Sequence, residues 1–306
     1  MKRYRTILYA GLLLLSLVSC TNEEALKPSG TDKNYFAAQD NATDEESVLR
    51  RDFYKKNNCY VLFNDTLRHE AIGADPNGVM QYMTELVDIP YVMTSITGSV
   101  NKYQYLQAMT DKRNAISFVE NYLLTHLSNK LKPFSWLLVN KIDQYNVSDA
   151  NFDYVGELQY AVGNRATSVA IGEISTMTDQ EKAAFSQTVL SGIMVNKISL
   201  QTSSTLASFT KYSSSLYNGR TTDAVSTEED NILAMNKAGF VTQHYWGGII
   251  LMFTAYPNQE EDVSSFVKLV LTKSDTEVNE LYTDFPIVLQ KYAAMKSIIE
   301  QMGYIF

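Results

Sequence analysis

Hydrolytic or metal chemistry needs imidazoles, thiols, paired carboxylates or an activated hydroxyl, and this chain of 306 residues offers few of them in useful arrangement. Its three histidines, His69, His126 and His244, are scattered in sequence. His69-Glu70 opens a His-Glu-x-x-His pattern, but Gly73 stands where the second imidazole must be. Two imidazoles one helical turn apart are what make that motif a zinc chelate, so half of it holds nothing. His244 lies in His244-Tyr245-Trp246-Gly247-Gly248. With Tyr256, Tyr245 and Trp246 could form a flat amphipathic platform for a sugar or peptide, the plain alternative being aromatic core. No Gly-x-Ser-x-Gly elbow occurs. The nearest approach, Leu190-Ser191-Gly192, falls inside a helical stretch, where Gly192 permits close packing. No Gly-rich phosphate loop is present. The acidic runs Asp44-Glu45-Glu46 and Glu260-Glu261-Asp262 read as helix starts. Cys59, in Cys59-Tyr60-Val61-Leu62-Phe63, reads as a buried small hydrophobe on a strand.

The element that must position any site is the stretch Thr178 to Gln201. Thr178 and Glu181 form a capping box, and Asp179 and Glu181 favour the helix N-terminus. Phe185, Val189, Ile193 and Lys197 recur at intervals of four, with Leu190, Met194 and Ile198 one residue later. This predicts a mostly buried helix of about five turns. Lys197 is the anomaly, a cation where the stripe should continue apolar; burying it unpaired is costly. Helices are also predicted over 44–54, 79–87, 101–129, 262–272 and 285–302, and strands over 59–63, 134–139, 153–159 and 166–173. Residues 67–78 and 202–230 read as loops.

Residues 1–25 carry a basic start at Lys2, Arg3 and Arg5, then an apolar run from Ile7 to Val18 too short to span a bilayer. Leu17-Val18-Ser19-Cys20 matches a bacterial lipobox. Residues 1–19 are thus expected to be a lipoprotein signal peptide, with Cys20 the lipidated N-terminus and 20–43 a tether; the alternative is an ordinary secretory signal ending in Cys. Removing the leader leaves Cys59 as the lone thiol, so no intrachain disulfide is expected. The net charge of −8 becomes more negative still without the leader's cations. Nucleic acid is an unexpected partner for so acidic a chain. No later apolar run is long enough to cross a membrane.

The helix at 178–201, the helix, Asn-rich turn and strand of residues 44–63, the stretch from Leu131 to Ile142, the Gly239-Phe240-Val241-Thr242 run and the Glu261-Asp262-Val263-Ser264-Ser265-Phe266 segment together resemble the import-associated zinc metallohydrolase lipoproteins of Bacteroidetes, a family of zinc-binding metallopeptidases. The resemblance spans roughly residues 44–306. Glu23 and Glu24 resemble the acidic surface-export tag of Bacteroidetes lipoproteins. It implies an α+β, zincin-like metallopeptidase fold, a small mixed sheet packed on several helices. In the family this helix carries His-Glu-x-x-His. Here the matching positions are Ile193, Met194 and Lys197, with Asp262 near the third ligand, and none of the three helix residues can bind zinc or activate water. The resemblance thus implies a non-catalytic surface lipoprotein, a binding or accessory component of an outer-membrane nutrient-import system, anchored through its lipid and without cofactor. Its cleft is expected near His244, Tyr245, Trp246 and Glu261. The alternative is an active zinc-dependent hydrolase with an atypical site built from His244 and Asp262. A further expectation is that Lys197 replaces the metal and pairs with Glu261 and Asp262.

Overall fold

The computed structural model describes residues 33–87, 97–148, 151–219, 228–242, 244–247 and 252–306. Cys20, the leader and most of the tether lie outside them, as do the side chains of His244, Tyr245 and Trp246. The chain divides into two units, Met1–Tyr35 and Phe36–Phe306. The second carries the architecture, and it begins ahead of the expected boundary at 44. Arg50 reaches back to the carbonyl of Phe36, and Arg51 to those of Gln39 and Ala42.

The fold is mixed α+β, with one small mixed sheet and several helices. Helix α1 (Glu45–Asn57) is capped by Asp44 and stopped by Asn58 in the left-handed conformation. It feeds strand β1 (Tyr60–Leu62), which pairs in parallel with the long strand β5 (Ser135–Ser148). β8 (Thr167–Ala170) lies parallel on the other side of β5, and β7 (Tyr160–Val162) closes that edge antiparallel to β8. The far half of β5 is flanked antiparallel by β4 (Thr97–Tyr105) and β6 (Asn151–Leu158).

The apolar run at the start of β5 serves both faces of the sheet. Trp136 and Leu138 belong to the large core beneath the helices, and Leu137 and Val139 to a smaller core with Phe36, Leu62, Val87 and Ile142. A strand buried on both sides reads as a continuous hydrophobic run, as this one does. The main core is covered by α2 (Met109–Phe118), α3 (Asp179–Ser199), α4 (Ser203–Thr210), α6 (Gln259–Thr272) and α8 (Pro286–Met302). Two shorter helices, α5 (Glu228–Lys237) and α7 (Asp275–Tyr282), fill in around them, and β9 (His244–Gly247) pairs with β10 (Met252–Ala255).

Three expectations are corrected. Residues 67–78 and 79–87 form a β-hairpin of β2 (Thr66–Ala74) and β3 (Met80–Leu86), not a loop and a helix. Met80, Met83 and Leu86 imitate a helical period, yet the two methionines are exposed on the hairpin. The helix expected from 101 starts at Met109, because β4 occupies 97–105. After α2 it continues as a π turn over Val119–Leu123 and a 3-10 turn over Leu124–His126. Helices α4 and α5 replace part of the predicted loop.

Candidate functional site

Helix α3 borders a groove of about 1050 Å³ whose opposite wall is the β6–β7 edge of the sheet. Along α3 the groove face is Thr188, Ser191, Gly192, Val195, Asn196 and Ser199, a three-and-four spacing that places them on one side. Helix α6 supplies Glu260, Ser264, Lys268 and Thr272, four residues apart, and these also line an adjoining hollow of about 810 Å³. Tyr160 of β7 lies over Gly192 so closely that a Cβ there would collide with its ring. The missing side chain is thus what lets strand and helix meet. Ser191 Oγ is buried beside this contact with no hydrogen-bond partner among the described residues. Burial raises the pKa of the Tyr160 phenol, so it stays protonated.

The groove mixes hydroxyls and amides with apolar Leu158, Ala161, Val162 and Val195, the Lys268 ammonium and the carboxylates of Glu157 and Glu260. No histidine or cysteine among the described residues lines it. Among the described residues no three His, Cys, Asp or Glu gather as a metal site. His69 stacks on Tyr82 in the hairpin, with Nδ1 2.9 Å from Thr84 Oγ1. His126 stacks on Tyr304, with Nδ1 2.8 Å from the Ile305 carbonyl oxygen. Cys59 is buried, and burial pushes its thiol up to about 11, which makes it inert.

The helix residues singled out from sequence do not face this groove. Ile193 and Met194 are fully buried in the main core. Lys197 is half-buried in the last turn of α3, a favourable end for a cation, and forms no ion pair among the described residues. The groove-facing residues with i, i+1, i+4 spacing are Gln187, Thr188 and Ser191; Ser191, Gly192 and Val195; and Val195, Asn196 and Ser199. None of the three sets contains a zinc ligand or a general base.

Asp262 overturns the expected pairing with Lys197. It is wholly buried, and its partner is Lys291 of α8. Lys291 Nζ lies 2.8 Å from Oδ1 and 2.7 Å from Oδ2. Tyr217 donates its hydroxyl to Oδ2 at 2.8 Å. Ser213 Oγ accepts from Lys291 at 2.9 Å and stands 3.3 Å from Oδ2. The rings of Phe209, Phe240 and Phe266 enclose the ammonium, with centroids 4.6–4.7 Å away. Burial pulls Lys291 down to about 8 against the opposing pull of Asp262. The same burial raises Asp262, against the stabilising ammonium. With both oxygens engaged, Asp262 is not free to serve an atypical zinc site. Glu261 is occupied too: its carboxylate accepts from the Asn258 N–H in the capping box of α6.

Sequence reasoning passed over Lys291, though the signal was present. Val288, Lys291, Tyr292 and Met295 are spaced three, four and seven apart, and all four are buried. A lysine inside such a stripe is the same anomaly that drew attention to Lys197. Lys291 sits in mid-helix, where it cannot escape to solvent past a helix end. No family model, curated protein or solved structure matches the chain.

Proposed function

We propose that the chain is a non-catalytic, lipid-anchored surface protein with a zincin-like, metallopeptidase-like fold, acting as a binding or accessory component of an outer-membrane nutrient-import system. The groove between the β6–β7 edge and α3 carries this reading. β7 ends the strand order of the sheet. An edge strand has main-chain donors and acceptors available to an extended ligand. The helix opposite presents hydroxyls and amides, not ligands for zinc, whichever register is taken along it. Such a site holds a polar ligand without cutting it. The lipobox at Leu17-Val18-Ser19-Cys20 supplies the anchor, and the likeness to importer-associated lipoproteins supplies the partner.

The test is affinity purification of the tagged chain from detergent-extracted membranes of the producing cell. A β-barrel transporter of the outer membrane should co-purify, and Cys20→Ala should move the protein out of the membrane fraction and lose that partner. Retention of Cys20→Ala in membranes would refute the anchor. Absence of any transporter from the wild-type eluate would refute the import role.

A further inference from the structure

We propose that Lys291 and Asp262 are joined by an autocatalytic isopeptide bond, an amide between Nζ of Lys291 and Cγ of Asp262 that ties α8 covalently to α6. The reacting groups already touch, since Nζ sits 2.7–2.8 Å from both carboxyl oxygens that flank Cγ. Both residues and Ser213 have no solvent exposure, and three phenylalanine rings wall the ammonium off from water. Pre-positioned partners of this kind reach effective molarities of about 10⁵–10⁸ M.

The step balances without any oxidant or cofactor. The Lys291 ammonium passes one proton along its hydrogen bond to the Asp262 carboxylate, leaving a neutral amine and a neutral acid, the pair that burial favours. A rotation about the Asp262 Cβ–Cγ bond then turns the face of the carboxyl toward Nζ. The nitrogen lone pair forms the N–C bond as the C=O electrons move to Oδ2, where the Tyr217 hydroxyl steadies the developing charge. Nitrogen gives up a proton to the hydroxyl on Oδ1, relayed by Ser213, which Nζ already touches. The Cγ–Oδ1 bond breaks, water leaves, and the carbonyl at Oδ2 re-forms. The product is an amide plus one water.

The bond is read by mass spectrometry of the full chain, denatured and digested with trypsin. Trypsin cannot cut after an acylated lysine. The expected product is therefore a branched peptide, residues 238–268 joined to 274–296 through Asp262 and Lys291, lighter by one water than the two chains together. Lys291→Arg should abolish it. Tyr217→Phe should lower the branched share several-fold, and an unchanged share would remove Tyr217 from the step. Wild-type protein that yields only the linear peptides, with cleavage after Lys291 throughout, overturns the proposal, whether or not any variant folds.

Discussion

The buried Asp262–Lys291 pair concentrates the largest residue-scale energies, and they bear on folding. Lys291→Met leaves a carboxylate enclosed by Phe240, Phe266 and the hydroxyls of Ser213 and Tyr217. Removing one partner of a buried pair costs about 3–5 kcal/mol. Chemical denaturation should show a loss of at least that order, and Lys291→Met with Asp262→Leu should recover the part that comes from the stranded charge. Lys197→Met, in contrast, should stay within about 0.5 kcal/mol, because that lysine has no ionic partner among the described residues. A large loss at Lys197 with none at Lys291 would reverse this assignment. The anomaly was legible as a type, a lysine in an apolar stripe. Which of two such lysines was caged depended on where the 209–217 segment packs, and no local spacing encodes that.

A second residue-scale prediction concerns acid. Glu277 accepts from the Ser274 backbone N–H and hydroxyl and from Lys273, which pull its carboxyl from 4.5 to about 2. Its folded-state value is depressed, so its contribution is fully present above pH 4.5 and fades as pH falls through about 2. Replacing Ser274 with Ala should move the NMR titration of Glu277 up toward the ordinary carboxylate range. An unmoved titration would deny the cap its role.

At the scale of elements, helices with explicit start signals were legible and exposed strands were not. Thr178 with Glu181 marks the start of α3, and the helix begins there with both capping bonds made. Pro286 opens α8 and left-handed Gly303 closes it. The start of β5 announces itself through Trp136-Leu137-Leu138-Val139, because both faces are buried. The β2–β3 hairpin has exposed Ile72, Val79, Met80, Tyr82 and Met83, so it lacks the one-sided alternation by which a half-buried strand is recognised. The junction of β7 with α3 is the element contact that shapes the groove. Gly192→Ala should cost about 1–3 kcal/mol, since its methyl group must displace the Tyr160 ring. In a Tyr160→Ala background, thermal melts should show the cost largely gone. Equal costs in both backgrounds would place the constraint elsewhere.

At the scale of the whole molecule, a mixed sheet with a helical layer over one face forms a groove at its β7 edge. Of the cleft expected from sequence near His244, Tyr245, Trp246 and Glu261, Glu261 lines the adjoining hollow, and the other three side chains lie outside the described residues. The helix residues singled out from sequence lie on the side turned to the core, because an apolar stripe marks that side, while the groove face of Thr188, Ser191, Gly192, Val195, Asn196 and Ser199 leaves no periodic apolar signal. The central claim is that this groove binds without metal chemistry. Elemental analysis of protein purified from zinc-supplemented cells, with no chelator at any step, tests it most directly. Ile193 and Met194 are sealed in the core, Asp262 is committed to Lys291, and the groove face of α3 carries no imidazole. The account predicts zinc far below one equivalent per chain; about one tightly held zinc, retained through dialysis, would contradict it.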